Sequence, residues 1–140
     1  MKIKLLLIFL LIFQMSFSQT IFGKWKTIDD ETGMEKGIVE IYELDGKVYG
    51  KIIDILDIEH KFHKCVKCEG ADNNKPILGL VIIKGLIKNG NVYDGGSVID
   101  PKNGKSYSCK ITLKEKNKLI VRGYIGISLF GRSQTWIRQK

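Results

Sequence analysis

Residues Asp94–Lys140 read DGGSVIDPKNGKSYSCKITLKEKNKLIVRGYIGISLFGRSQTWIRQK, and this stretch decides the fold class. Tyr107, Cys109, Ile111 and Leu113 alternate with Ser108, Lys110, Thr112 and Lys114. That period of two puts successive side chains on opposite faces of a strand and points Cys109 inward. Asp100-Pro101-Lys102-Asn103-Gly104 precedes it as a turn, because proline fixes φ and glycine accepts positive φ. Lys116-Asn117 turns the chain into Leu119–Ile125, and Gly131-Arg132 leads into a last strand, Gln134–Arg138. No window shows apolar residues at helical spacing. The reading is all-β and antiparallel, with short connections.

The same grammar continues upstream. Val92–Ile99 is a strand after the Asn89-Gly90-Asn91 turn. Gly37–Leu44 and Lys47–Leu56 flank Asp45-Gly46, a dipeptide that favours a tight primed hairpin turn. Pro76–Ile87 is apolar on both faces, which suits a buried or kinked strand. Phe22-Gly23-Lys24-Trp25 opens the domain. About eight strands at this spacing predict a small up-and-down barrel of one domain, residues 19–140. Residues 1–18 are expected to be a signal peptide: Lys2 and Lys4 precede an apolar run, Leu5–Phe13, and Ser16-Phe17-Ser18 suits cleavage. The apolar run is too short for a transmembrane helix, which needs about 20 residues. The expected location is therefore outside the cytoplasm, periplasmic or secreted, with no stable membrane insertion once the leader is gone.

The formal net charge is +8. The basic residues are scattered through turns and are not interleaved with aromatics, so they make no stacking platform for nucleic acid. A solvated basic surface, or weak attraction to an anionic envelope polymer or lipid, accounts for them.

Residues 57–75 stand apart, because a polar connection of that length inside a compact domain usually carries a function or a staple. Cys65-Val66-Lys67-Cys68 suits a local disulfide in an oxidising compartment. Two other readings stay open. His60, His63, Cys65 and Cys68 carry zinc-type donors. A redox pair would need a helix N-terminus at the first cysteine, and none follows. Cys109 is the odd thiol, either a buried small hydrophobe or a partner for a loop cysteine.

On the strand Leu119–Ile125, the row Leu119, Val121, Gly123, Ile125 is the more core-like. Arg122 and Tyr124 share the other row with Ile120. Turned inward, they would offer polar groups to a ligand carboxylate or phosphate. Turned outward, they are cross-strand pairs. The candidate ligand-binding set is Tyr107, Arg122, Tyr124, Arg132 and Trp136. Asp100 before Pro101 is a turn-former. There is no nucleophile-elbow motif and no phosphate-cradling glycine loop. No catalytic residue, metal or cofactor is assigned.

Gly23-x-Trp25 on the first strand and Arg138 on the last resemble the calycin group of lipocalins and fatty-acid-binding proteins. In such barrels an arginine crosses the tryptophan and plugs the closed end. A fuller pattern runs through Tyr49-Gly50-Lys51-Ile52, Cys65-x-x-Cys68, Pro76-x-x-Gly79, Gly95-Gly96, Asp100-Pro101-x-x-Gly104-Lys105-x-Tyr107-x-Cys109, Val121-Arg122-Gly123-Tyr124 and Gly131-Arg132-x-Gln134-Thr135-Trp136-x-Arg138. This order is similar to the exported bacterial family called domain of unknown function 2147. The resemblance implies an exported lipocalin-like barrel, with Trp25 and Arg138 closing it, and implies no activity. The function expected is a monomeric, non-enzymatic binding module for a small apolar or amphipathic ligand. The alternative is an envelope interaction or structural protein without a ligand cavity.

Overall fold

A computed structural model describes residues 20–140. The expected signal peptide lies outside these residues. Eight strands follow in chain order: β1 (Gly23–Ile28), β2 (Glu35–Leu44), β3 (Lys47–Ile55), β4 (Val81–Asn89), β5 (Val92–Asp100), β6 (Lys105–Glu115), β7 (Lys118–Tyr124) and β8 (Gly131–Arg138). Each pairs antiparallel with its chain neighbours, and β8 returns to β1 to close the barrel. The expected all-β, up-and-down barrel is the fold observed.

Most strand ends lie within one to three residues of the sequence reading, and the start of β4 differs most. Residues 76–80 are not strand; Pro76 makes only an isolated bridge to Lys64, and β4 begins at Val81. Pro76 has no N–H to give a ladder. The chain there is held instead by Ile77 N–H donating to the His63 carbonyl at 3.0 Å and Gly79 N–H donating to the Ile52 carbonyl at 2.8 Å.

Register shows which face is inside, because residues opposite each other in an antiparallel pair share a face. Ile111 pairs with Tyr93 and Val121, Leu119 with Trp136, and Trp25 with Val39, which pairs in turn with Ile52. All of these except Tyr93 are buried, so this row set is the interior. Its opposite rows pair Lys110 with Arg122, Ser108 with Tyr124, and Lys24 with Glu40. The outer wall is thus polar while aliphatic and indole side chains fill the inside. Bulges in the β2–β3, β3–β4 and β5–β6 ladders add the local twist that lets short strands curl shut.

The barrel is packed solid at the end carrying the tight β2–β3, β4–β5 and β6–β7 hairpins. Asp45 and Gly46 sit there at positive φ, 51° and 77°, as a primed turn requires. Trp25 is fully buried and its indole N–H donates to the Ile21 carbonyl at 2.8 Å. The Arg138 guanidinium lies 4.3 Å from the centre of the Trp25 ring. It donates to the carbonyls of Phe22 at 3.1 Å, Thr20 at 2.6 Å and Lys116 at 3.0 Å. One planar fork therefore ties the segment before β1, the β6–β7 turn and the last strand together.

That tie matters because the closing seam is thin. β1 and β8 share only two register pairs, Trp25–Arg138 and Lys26–Ile137. At the other end of the seam Arg132 donates to Asp30 at 2.6 and 3.0 Å and to Glu31 at 3.1 Å. Replacing Arg138 by Ala removes the ring contact and three charge-assisted bonds, and should cost about 2 kcal/mol in chemical denaturation. Arg138→Lys should recover less than half of that loss, because an ammonium cannot reproduce the fork.

Candidate functional site

The four connections at the opposite end are longer, and they surround the barrel mouth. They are residues 29–34, 56–80, 101–104 and 125–130. The second is the long polar segment singled out in the sequence, and three devices hold it. Cys65 and Cys68 are joined as a disulfide, and both are buried. Around them, Cys65 N–H donates to the Lys75 carbonyl at 2.8 Å and Asn74 N–H donates to the Cys65 carbonyl at 2.9 Å. Asn73 Nδ2 donates to the carbonyls of Val66 and Cys68 at 3.2 and 2.9 Å.

The second device is close packing on the β5–β6 turn. Gly104 has φ +71°, and a side chain there would run into the Lys67 carbonyl, so backbone meets backbone. Cys65 Sγ lies 3.7 Å from the Pro101 carbonyl oxygen. The third is an ion-pair cluster. Asp72 is buried and accepts from Lys84 on β4 at 2.5 Å and from Lys75 at 3.2 Å. The Lys84 ammonium, helped by Lys75 and opposed by burial, holds the Asp72 carboxyl below the usual carboxylate range.

Between this loop and the barrel lies a cleft of about 360 Å³, lined by Cys68, Glu69, Ile99, Gly104, Lys105, Ser106, Tyr107 and Ile125. Its walls are mixed. Ile99, Ile125 and the Tyr107 ring give apolar surface, and Lys105, Glu69 and Ser106 give polar groups. Asn103 Nδ2 donates to the Tyr107 hydroxyl at 3.1 Å, which fixes the phenol at the rim.

Of the five anticipated ligand residues, only Tyr107 lines this cleft. Arg122 and Tyr124 occupy the outer row, opposite Lys110 and Ser108. The inward alternative for that row is therefore not the arrangement found. Arg122 is spent on its own hairpin, donating to the Ser128 carbonyl at 2.8 Å, Ser133 Oγ at 3.0 Å and the Leu129 carbonyl at 3.4 Å. Arg132 clasps Asp30 and Glu31 across the seam. Trp136 is buried in the barrel floor, where its N–H donates to Gln134 Oε1 at 3.0 Å.

Ile125 behaves opposite to its core-like reading. β7 ends at Tyr124, Gly126 turns the chain at φ +74°, and Ile125 is 69% exposed at the rim. Ile99, Lys105 and Glu69 were not anticipated either. Ile99 and Lys105 flank the β5–β6 turn that the long loop packs on, and Glu69 lies in that loop; that proximity was their only sequence signal.

The disulfide sulfurs are bonded to each other and are not available as thiolate ligands. His60 meets His63 edge to face at 4.8 Å between ring centres, and its Nδ1 contacts Asp57 at 2.5 Å. Asp57, Glu59 and His60 offer ligand atoms within 4.8 Å of one another at the surface. Cys109 is a free thiol with no exposure, and burial pushes its pKa up to about 12. It has essentially no thiolate at neutral pH and cannot act as a nucleophile there.

Comparison with known proteins agrees with this architecture. The family described as an uncharacterized protein conserved in bacteria, DUF2147, matches residues 23–138, and the chain belongs to that family. Among solved structures, protein HP1028 from the human pathogen Helicobacter pylori, which belongs to the lipocalin family, is similar at a TM-score of 0.77. The match covers 88% of this chain and 85% of that one at 24% identity, which is a likeness of fold. No curated protein matches.

Two stability outcomes follow from how the loop is held. The disulfide closes a ring of sequence separation 3, so Cys65→Ser with Cys68→Ser should cost no more than about 2 kcal/mol, with the barrel's circular dichroism unchanged. Asp72 has a lower pKa folded than unfolded. It therefore contributes stability above its unfolded pKa, and that contribution is lost as pH falls through the folded value. Denaturation midpoints should drop between about pH 4 and lower values, and Asp72→Asn should flatten that drop.

Proposed function

We propose that this family member is a ligand-binding barrel that takes a small, partly apolar molecule at its open end. What supports the reading is the contrast between the two ends. The closed end gathers Trp25, Leu119, Ile111 and Trp136, each buried. The rim instead carries a cleft whose volume falls in the range of small-molecule sites, about 300–1,000 Å³. Such sites combine apolar walls with a few placed polar groups, as Ile99, Tyr107 and Ile125 do with Lys105 and Ser106.

Lys105 and Glu69 beside apolar walls favour an amphiphile with a polar or charged end. The lipocalin-like fold and the family support a binding protein over a catalyst, and Cys109 is too deeply buried to serve as a nucleophile. The reading places the protein outside the cytoplasm as a monomer, since a buried disulfide persists in an oxidising compartment. The apolar loops around the mouth favour a second role, contact with a larger surface.

The test is fluorescence titration with anilinonaphthalene sulfonate, an apolar anion, alongside native mass spectrometry of protein purified from bacteria. Tyr107→Ala and Lys105→Gln should each weaken probe binding roughly tenfold, about 1.4 kcal/mol. Ile87→Ser, exposed near the opposite end of the barrel, should leave it unchanged. Equal binding by all three variants would sink the assignment to this cleft.

A further inference from the structure

Exposed apolar side chains are not spread over this barrel. Among the described residues, eleven large hydrophobics are exposed, and nine of them lie on the connections at the open end. Residues 125–130 present Ile125, Ile127, Leu129 and Phe130, the last at 67% exposure. The long loop presents Ile58 and Phe62, both above 80%, and Val66. Met34 stands on the β1–β2 connection. Only Leu44 and Ile87 lie elsewhere. Single exposed apolar residues need no explanation, but a collar of them at one end marks an interaction surface.

The partner must suit a ring of loop tips. Three separate connections carry these side chains at one end of the barrel. A flat, continuous apolar phase meets all of them at once. The charges between them are arranged for an anionic version of that phase. Lys64, Lys67, Lys102 and Lys105 make no ion pair among the described residues. They are neighbours, because Lys67 packs on Gly104 and Cys65 on Pro101, and Val66 stands among them.

Most carboxylates at this end are already occupied. Asp30 and Glu31 hold Arg132, Asp54 meets Lys61, and Asp72 holds Lys75 and Lys84. Asp29 meets Lys36, and Asp57 contacts His60. Glu59, Glu69 and Asp100 remain, the last accepting from the Lys102 backbone N–H. No helix among the described residues is long and apolar enough to cross a membrane, and the barrel wall carries lysines outward, so contact would be by the rim alone.

We infer that the open-end collar docks this protein on an anionic lipid surface, with the apolar tips entering the headgroup layer and the lysines around the disulfide meeting lipid phosphates. Apolar tips supply burial in the boundary layer and nearby ammonium groups supply electrostatic attraction, the two components of interfacial binding. Lysine stems long enough to lie along an apolar surface let both act together. The inference does not require a ligand in the cleft.

The experiment is co-sedimentation of the purified protein with vesicles made of equal parts phosphatidylglycerol and phosphatidylcholine, and with phosphatidylcholine alone. The protein should pellet with the anionic vesicles, and high salt should weaken this. Phe62→Ser with Phe130→Ser should reduce binding roughly tenfold. Replacing Lys64, Lys67, Lys102 and Lys105 by Gln should abolish the preference for phosphatidylglycerol. Ile87→Ser, at the other end, should bind like the unaltered protein. All these positions are exposed, so thermal unfolding should stay unchanged and lost binding cannot be lost folding. No pelleting, or equal pelleting by the Phe62/Phe130 variant, overturns the proposal. So does concentration-dependent self-association that the same two substitutions remove, because the collar then covers a second copy.

Discussion

A sheet becomes a barrel only if its two edges meet, and here they meet over very little. Two register pairs join β1 to β8. Left open, those edges would expose unpaired backbone donors and acceptors, the usual template for aggregation. Arg138 makes the short seam sufficient by binding three carbonyls from two other parts of the chain and covering Trp25. Arg132 gives the same kind of help at the far end, through Asp30 and Glu31. The solid floor, the burial of Trp25 and the position of every later strand depend on that closure.

Closure at one end sets the character of the other. Tight turns and large buried side chains gather at the closed end. In the proposed reading a ligand is held by the rim. The rim is built from the long loop, and the loop is fixed by local means: a small disulfide ring, a backbone-to-backbone contact at Gly104 and the buried Asp72 cluster. Cys65 and Cys68 belong to the same buried cluster as the barrel interior, and Lys84 stands on β4, so the loop is anchored on the barrel while its exposed tips stay free of it. Such tips are where a rigid scaffold usually carries its function.

The two functional readings share this end but use different parts of it. The cleft uses Tyr107, Lys105, Ile99 and Ile125 between the loop and the strands. The collar uses the outermost tips. Ile125 and Lys105 belong to both, so in these readings the cleft opens within the docking face.

The fold was legible in the sequence because strand alternation and turn chemistry are local. Tyr107 to Leu113, Asp45-Gly46 and Asp100 to Gly104 each state their conformation within a few residues, and together they specify antiparallel strands of barrel length. The disulfide was legible as the default pairing of Cys65 and Cys68, two cysteines three apart. The residues of the proposed cleft were not, because a polar residue on a strand does not announce which face it takes. Arg122 and Tyr124 alternate as cleanly as Tyr107 does. Only the register with Lys110 and Ser108 puts them outside, and only the end of β7 at Tyr124 frees Ile125 to the rim. Sequence alone thus determined the strand order and the staple. Tertiary structure decided the inner face, the filled end and the open end, because those depend on contacts between residues far apart in the chain, which no local pattern contains.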